Sequence, residues 1–474
     1  MENIRKVTRE QIRDAARKYF RPEKLCVTAL VPKGEAPKTS DAASVVPVSA
    51  VKRSRLPGGV TLLVKKNGAV PLVTIHACFA GGLRAEDRRT NGVSNLMTAM
   101  LLRGTKTRTA QQIADAFDAM GGSIGGNSGN NSFNLTATVL KQDAAKAMEL
   151  FADVLLNPAF PDKELEDMKK RMVFGIRRSE DDAMSEAMRF FRQNMYLTSP
   201  YGMVPAGTTT SVAGLTRNDL AEFHRRYVHP QNMALAVFGD LEPAEAEALA
   251  RENFGAFRGE GTLRPPNPAI EPTLSSPRVL LKVNKKEGAV VFIGSPGVQM
   301  TAAEDRAVID VIDTVMSGYG YPGGWLHNDL RGRQLVYEVH AMSVPGVEPG
   351  YFFAYARCQP DKVKIVAEAI LYQVYRMALY GPTPQELELA KQTIVTSEKL
   401  ENQTSASQAM SAAINELYGL GYDFDEKQLE RIQRVTIDDM KRAARRYFSS
   451  YVLTVTAADE HIADGVTPKP VIVK

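Results

Sequence analysis

The sequence predicts two similar domains, each combining helices with strands, and three observations support this. A pattern of one helix followed by one strand occurs three times, at residues 7–32, 215–240 and 435–459. Two other stretches, 58–83 and 277–298, each have the pattern of two strands around a turn. Residues 259–277 are rich in proline, glycine and serine, as expected of a linker. One full domain is therefore expected on each side of this linker.

Each copy of the repeat has the same residue types at the start and at the end of its helix. A threonine precedes the helix, where its hydroxyl can accept a hydrogen bond from an amide of the first turn, and the helix ends at a tyrosine. The second and third copies lie about 220 residues apart, which is the length of a domain and far longer than a solenoid repeat. We therefore expect each of these two copies to close one domain.

These signals set the expected boundaries. The two full domains are placed at residues 46–258 and 278–460, with residues 461–474 as a tail. Residues 1–45 then read as the terminal helix and strand of a preceding repeat, followed by a linker. On this interpretation the chain is the back half of a longer one.

Composition narrows the class of protein. The chain has 474 residues, 44% hydrophobic and 24% charged, with a net charge of +5 that is spread along the sequence, unlike a basic nucleic-acid-binding arm. No run reaches the roughly 18 apolar residues that a membrane span needs. The three separated cysteines, Cys26, Cys78 and Cys358, are expected to be buried free thiols. No signal peptide is recognised, so the compartment stays open: periplasmic if an upstream half carries a signal, otherwise cytoplasmic.

Residues 91–102 have the apolar spacing of a helix packed on a sheet. Val93, Leu96, Met97, Met100 and Leu101 recur at intervals of three and four residues, which places them on one face. This face predicts a structural role for the helix.

Three stretches in order carry a resemblance to a known family: "GLRAEDRRTNGVSNLMTAMLLRGTKTRTAQQI", "MGGSIGGNSGNNSFNLTATVL" and "SPYGMVPAGTTTSVAGLTRNDLAEFHRRYVHPQNMALAVFGDL". The chain resembles the pitrilysin/insulinase family of zinc metallopeptidases, the inverzincins, and the likeness continues through "SGYGYPGGWLHNDLRGRQLVYEVHA". The resemblance implies an α+β fold of two homologous domains, each a mostly antiparallel sheet covered by helices. It also implies a chamber for unfolded peptides, enclosed by two such halves.

The resemblance also identifies the positions that correspond to the family's zinc site, and these positions hold other residues here. Active members carry H-x-x-E-H on the helix that corresponds to residues 91–102, with two histidine ligands and a glutamate that activates water. Here the first, fourth and fifth positions of that motif are Asn95, Thr98 and Ala99, and the third ligand falls at about Gly175. Alanine offers no lone pair and threonine is too weak an acid to replace glutamate. We therefore expect no metal in this chain, with zinc held by a partner.

The sequence contains no motif for another kind of hydrolytic site. The six histidines form neither H-x-x-E-H, H-E-x-x-H nor a cysteine–histidine cluster, and the G-x-S-x-G elbow is absent. No autonomous activity is expected from the chain.

Two features remain that could contact a peptide. By the resemblance, Arg333 and Tyr337 in "LRGRQLVYEV" correspond to an arginine and a tyrosine that hold the substrate carbonyl; the alternative is a surface charge and a packed strand residue. The stretch Gly121 to Asn131 corresponds to the edge strand on which the family lays peptides; the alternative is a flexible loop. The candidate contacts within it are Gly125, Gly126, Asn127 and Ser128.

Two functions of different classes follow. The chain is either a non-catalytic subunit or half of a zinc peptidase, or a structural protein that keeps the peptidase fold without proteolysis. In the first case its partners are a zinc-binding homologue, as a second subunit or as an upstream half, and an unfolded peptide. Neither a nucleic-acid partner nor a membrane span is expected.

Overall fold

The computed structural model describes residues 8–19, 50–259, 266–320, 322–463 and 471–473. The chain forms two compact units, Met1–Val46 and Pro47–Lys474. In the first unit, helix α1 spans Arg9–Tyr19, and Thr8 caps it by accepting from the Gln11 amide at 3.3 Å. The strand predicted to follow this helix, and Cys26 with it, lie outside the described residues.

The second unit contains two six-stranded sheets and the remaining helices. The strands are β1 Lys52–Arg55, β2 Thr61–Lys66, β3 Leu72–Ala80, β4 Ser123–Ser128, β5 Ser132–Leu140, β6 Met233–Gly239, β7 Arg278–Val283, β8 Ala289–Pro296, β9 Val336–Val344, β10 Tyr351–Cys358, β11 Val452–Ala457 and β12 Val471–Val473. The helices are α2 Val93–Met100, α3 Ala110–Ala119, α4 Ala144–Leu156, α5 Asp162–Asp181, α6 Ala183–Met195, α7 Thr209–Gly214, α8 Arg217–Tyr227, α9 Pro243–Phe254, α10 Ala303–Ser317, α11 Gly324–Leu326, α12 Val363–Leu379, α13 Pro384–Glu401, α14 Ser405–Leu417, α15 Phe424–Arg434 and α16 Ile437–Tyr447.

The two sheets have the same strand order. The first runs β1-β2-β6-β3-β5-β4 and the second β12-β7-β11-β8-β10-β9. In each, the strand of the sequence repeat, β6 or β11, pairs parallel to β2 or β7 and antiparallel to β3 or β8. The predicted fold class, two homologous and mostly antiparallel α+β domains, is confirmed. The outermost strands differ: β1 is antiparallel to β2, whereas β12, from a segment assigned only as a tail, is parallel to β7.

Reciprocal caps explain why the repeat is visible in the sequence. Thr216 accepts from the Asp219 amide at 3.3 Å, and its own amide donates to the Asp219 carboxylate at 2.9 Å. Thr436 and Asp439 make the same pair of bonds at 3.2 and 3.0 Å. Such caps satisfy amides that would otherwise lack partners at a helix start.

One helix of each half packs on the sheet of the other half. Helix α6 of the first half places Phe190 and Phe191 on the second sheet, against Phe292 and Phe353. Helix α14 of the second half lays Ala409, Ala412 and Ala413 on the outer face of the first sheet. The opposite face of each sheet is covered by helices of its own domain. Within the described ranges, no helix combines the length and apolar composition that crossing a membrane would require.

Candidate functional site

Helix α2 holds the positions where the family would place zinc ligands. Its apolar face is buried, as the sequence predicts. Thr98 is also buried, and its hydroxyl donates to the Ser94 carbonyl at 2.8 Å, so this side chain is occupied inside the helix. Asn95 and Ala99 are half-buried. The helix therefore presents an amide and a methyl group, neither of which is suited to bind zinc.

Strand β4 packs directly on this helix. A Cβ atom at Gly126 would lie 2.7 Å from Cγ2 of Thr98, so only glycine permits this approach. The hydroxyls of Ser128 and Ser94 lie 2.7 Å apart and join the strand to the helix a second time. The structure thus brings Thr98, Gly126 and Ser128 together.

A buried carboxylate that the sequence analysis missed orders the start of α2. Glu86 accepts hydrogen bonds from the amides of Gly92 and Ser94 at 2.8 and 2.9 Å, and from the Asn91 side chain at 3.0 Å. Burial raises the pKa of Glu86 to about 7, although these three donors act in the opposite direction. An acid seven residues before the first residue of a helix is no recognised capping pattern, so nothing in the sequence pointed to this role of Glu86.

The position of the third ligand does not complete a metal site. Gly175 is exposed on α5, and a Cβ atom added there would meet nothing within 4 Å. Throughout the part of the chain that the structure describes, no three histidine, cysteine, aspartate or glutamate side chains are grouped so that they could hold a metal ion. The residues present at Asn95, Thr98, Ala99 and Gly175 do not fit zinc.

The histidines have packing roles where their contacts are described. His76 is buried next to Thr136 Oγ1 at 2.8 Å, and desolvation lowers its pKa to about 4. His327 and His340 make an edge-to-face ring contact with centroids 6.2 Å apart. Cys78 and Cys358 are buried free thiols, as predicted.

Arg333 and Tyr337 lie in the other domain, on an irregular stretch of backbone. The π-helical turn His327–Arg331 precedes them, and Gln334 has a left-handed φ of 57°. In the pairing of β9 with β10, Glu338 lies opposite Arg357 and Val336 opposite Cys358, so Tyr337 is the extra residue of a β-bulge. Bulges redirect side chains and are frequent next to functional sites.

Both side chains point to solvent. Tyr337 is 62% exposed, which is incompatible with the alternative of a tyrosine packed in the sheet. The Arg333 side chain is 51% exposed, and its Nη1 lies 3.0 Å from Oδ1 of Asp329. Asp329 also accepts from the Gln373 side chain at 3.0 Å, which fixes the carboxylate that orients the arginine.

The stretch from Gly121 to Asn131 contains a strand instead of only a loop. Strand β4 lies at the end of the first sheet, and within the described residues it pairs only with β5. Gly125 and Asn127 are exposed, and a Cβ atom at Gly125 would meet nothing within 4 Å. Strand β9 occupies the same place in the second sheet, so both candidate segments lie on equivalent sheet edges.

A buried polar junction joins the turns that follow β4 and β9. Tyr201 donates to the Asn131 side chain and accepts from the Val347 amide at 3.1 Å. Arg84 Nε donates to Glu348 at 3.1 Å. The sequence analysis missed this junction because its members are far apart in sequence.

Comparisons with known proteins agree with this geometry. The model of the insulinase family, peptidase family M16, matches residues 61–202, and the model of the peptidase M16 inactive domain matches residues 214–394. An uncharacterized zinc protease of Mycobacterium leprae is 29% identical over 402 residues, covering 84% of this chain and 89% of the relative.

Two solved structures share the fold. A protease from Helicobacter pylori superposes with a TM-score of 0.81 at 16% identity, over 86% of this chain and 99% of that one. A peptidase M16 inactive domain from Pseudomonas fluorescens superposes with a TM-score of 0.77 at 21% identity, over 86% of this chain and 98% of that one. The two family models together match more than half of the chain, which therefore belongs to the insulinase family, peptidase family M16.

Proposed function

We propose that this chain is a non-catalytic subunit or half of a zinc-dependent peptidase. It closes a peptide-binding chamber and contributes Arg333 and Tyr337 to a zinc site held by a catalytic homologue, either a second subunit or an upstream half. The match to an inactive-domain model and the relative named a zinc protease support this assignment. The residues on α2 and at Gly175 offer no suitable zinc ligands, and within the described residues no group of side chains could hold a metal ion.

The observation that carries the proposal is the exposure of two donors, Arg333 in the turn before edge strand β9 and Tyr337 near the start of that strand. A guanidinium and a phenol both donate hydrogen bonds, and donors of this kind stabilise the oxyanion that forms when a peptide carbonyl is attacked. Arg333 is already oriented by Asp329, and the bulge directs Tyr337 outward. Among the residues that the structure describes, no group could hold a metal for Arg333 and Tyr337 to assist, so we assign their chemistry to a site on a second polypeptide segment.

Strand β4 supplies a second contact in this proposal. An extended peptide can add to an exposed sheet edge through main-chain hydrogen bonds, and the small residues from Gly125 to Ser128 leave that edge accessible. The Ser128 hydroxyl already contacts Ser94, so we assign this residue a backbone role.

The test is peptide hydrolysis by the partner alone, by the partner with this chain, and by the partner with variants. Arg333→Ala and Tyr337→Phe should each lower turnover about ten-fold or more, as expected for removing an oxyanion donor. Matched controls are Arg331→Ala, an exposed arginine of the same turn, and Tyr372→Phe, an equally exposed tyrosine on α12.

Both controls should keep wild-type turnover. If the partner is fully active alone, or if the Arg333 and Tyr337 variants support wild-type rates, the chain has a structural or assembly role without proteolysis.

A further inference from the structure

A cavity of about 850 Å³ lies in the first domain beside the start of α2. Its walls come from the loop before α2, the end of α5, helix α6, the end of α8 and residues 266–269 of the linker. This volume is within the usual range for ligand sites, about 300–1,000 Å³. None of the positions that correspond to the family's zinc site, Asn95, Thr98, Ala99 and Gly175, lines the cavity, so it is separate from the degenerate zinc site.

The cavity has more positive charge than its own acids neutralise. Four arginines line it: Arg84, Arg88, Arg189 and Arg226. Arg84 is paired with Glu348, and Arg189 donates to Ser179 Oγ at 3.3 Å and lies 3.8 Å from Glu180. Arg226 stacks on the Tyr227 ring. Arg88 is exposed and has no ion pair within the described ranges.

Three acids line the cavity, and two of them, Glu86 and Asp87, already accept hydrogen bonds from other groups. Glu86 accepts three hydrogen bonds at the start of α2, and burial favours its neutral form. Asp87 accepts from the amide and the hydroxyl of Thr90, both at 2.8 Å. Arg88 and Arg226 are therefore available to an external anion, and the guanidinium fork matches a carboxylate.

The remaining walls are apolar enough for a peptide. Leu197 lines the cavity and is 54% exposed, and Pro266 and Pro268 of the linker lie on its wall. A site with apolar walls and a few convergent charges selects ligands that carry both characters.

We propose that this cavity binds peptide carboxylates and selects acidic peptides for the complex. The proposal rests on the proposed function, because it names the class of substrate that the chain would hold for its partner. The carboxylate could belong to aspartate and glutamate side chains or to the peptide C-terminus, and the two sources share the same chemistry.

The test is fluorescence anisotropy with the full chain alone, which needs no partner. Three labelled peptides distinguish the sources: an acidic peptide with an amidated C-terminus, its Asn/Gln analogue with the same amide, and the analogue with a free C-terminus. A side-chain site binds the first peptide best, and a C-terminal site binds the third best. Either affinity should fall as salt is raised, because exposed charge pairs are screened.

The double variant Arg88→Glu, Arg226→Glu should weaken binding of the preferred peptide about ten-fold or more. Arg55→Glu is the matched control, since Arg55 is exposed on β1 outside the cavity. If circular dichroism shows that the double variant is unfolded, the single variant Arg88→Glu replaces it. The charge-reversed variant should also gain affinity for a lysine-containing peptide, which a merely misfolded protein would not.

Equal binding of all three peptides, or equal loss in the Arg55→Glu control, would overturn the inference. Binding that depends on Arg333 and Tyr337 but not on Arg88 and Arg226 would also reject the cavity while leaving the proposed function in place. Acidic-peptide binding with no effect on the partner's hydrolysis would retain the cavity and reject the proposed function.

Discussion

The first and second domains share a topology but present different edge strands. Strand β4 has six residues, and its glycine at 126 is pressed against α2, whereas β9 has nine residues and a bulge that exposes Tyr337. Capping and buried apolar faces determine the topology, and neither constrains the outer edge. The two sheet edges can therefore have different functions although the two domains share one fold.

The helices beside these edges differ as well. Helix α2 packs through apolar residues and a buried threonine. Helix α10, in the corresponding place of the second domain, carries Asp310 and Asp313, and burial raises their pKa values to about 6 and about 7. The duplicated domains have therefore placed titratable groups in only one of the two helices.

The largest expected effect comes from substitutions in the two helices that pack on the sheet of the other half. Phe191 of α6 is fully buried and stacks on Phe292 with ring centroids 5.4 Å apart, while α14 uses alanines on the first sheet. Phe191→Ala should lower the free energy of unfolding by about 3–5 kcal/mol. Ala413→Gly should cost only about 1 kcal/mol. Urea denaturation measures both, and equal losses would contradict the stated difference between the two interfaces.

A smaller effect separates two neighbouring glycines of β4. Gly126→Ala should destabilise the protein by about 1–3 kcal/mol, because the added methyl group would overlap Thr98. Gly125→Ala faces open space and should change the free energy of unfolding by no more than about 0.5 kcal/mol. Thermal denaturation of both variants tests this, and a neutral Gly126→Ala would show that β4 is not held against α2.

The pH dependence of stability tests the protonation of Asp313 on α10. Burial raises the pKa of Asp313 from 3.8 to about 7, so the folded state holds a proton that the unfolded state releases. The resulting stabilisation is complete below the unfolded pKa and is lost as pH rises through about 7, by at most about 1.4 kcal/mol for each pH unit. Asp313→Asn should flatten the dependence of unfolding free energy on pH between about 4 and 7. An unchanged slope would show that the carboxyl is not protonated in the folded state.

The sequence was most informative where local chemistry repeats. Thr216 and Thr436 mark the same helix start in both domains, so the duplication could be predicted. The coverage of each sheet by a helix from the other half could not, because the apolar face of α6 indicates burial without naming the sheet that buries it. The family resemblance identified Arg333 and Tyr337, but their exposure depends on the bulge in β9. Glu86 was missed because a buried carboxylate has no signature in a single sequence.

We propose that zinc chemistry in this system belongs to a partner and not to this chain. Metal analysis of the purified chain, and of its complex with the catalytic homologue, is the decisive measurement. We expect no stoichiometric zinc in the chain alone and no peptide hydrolysis by it, with zinc appearing only when the partner is present. One zinc per copy of this chain, lost on Asn95→Ala, would contradict the claim.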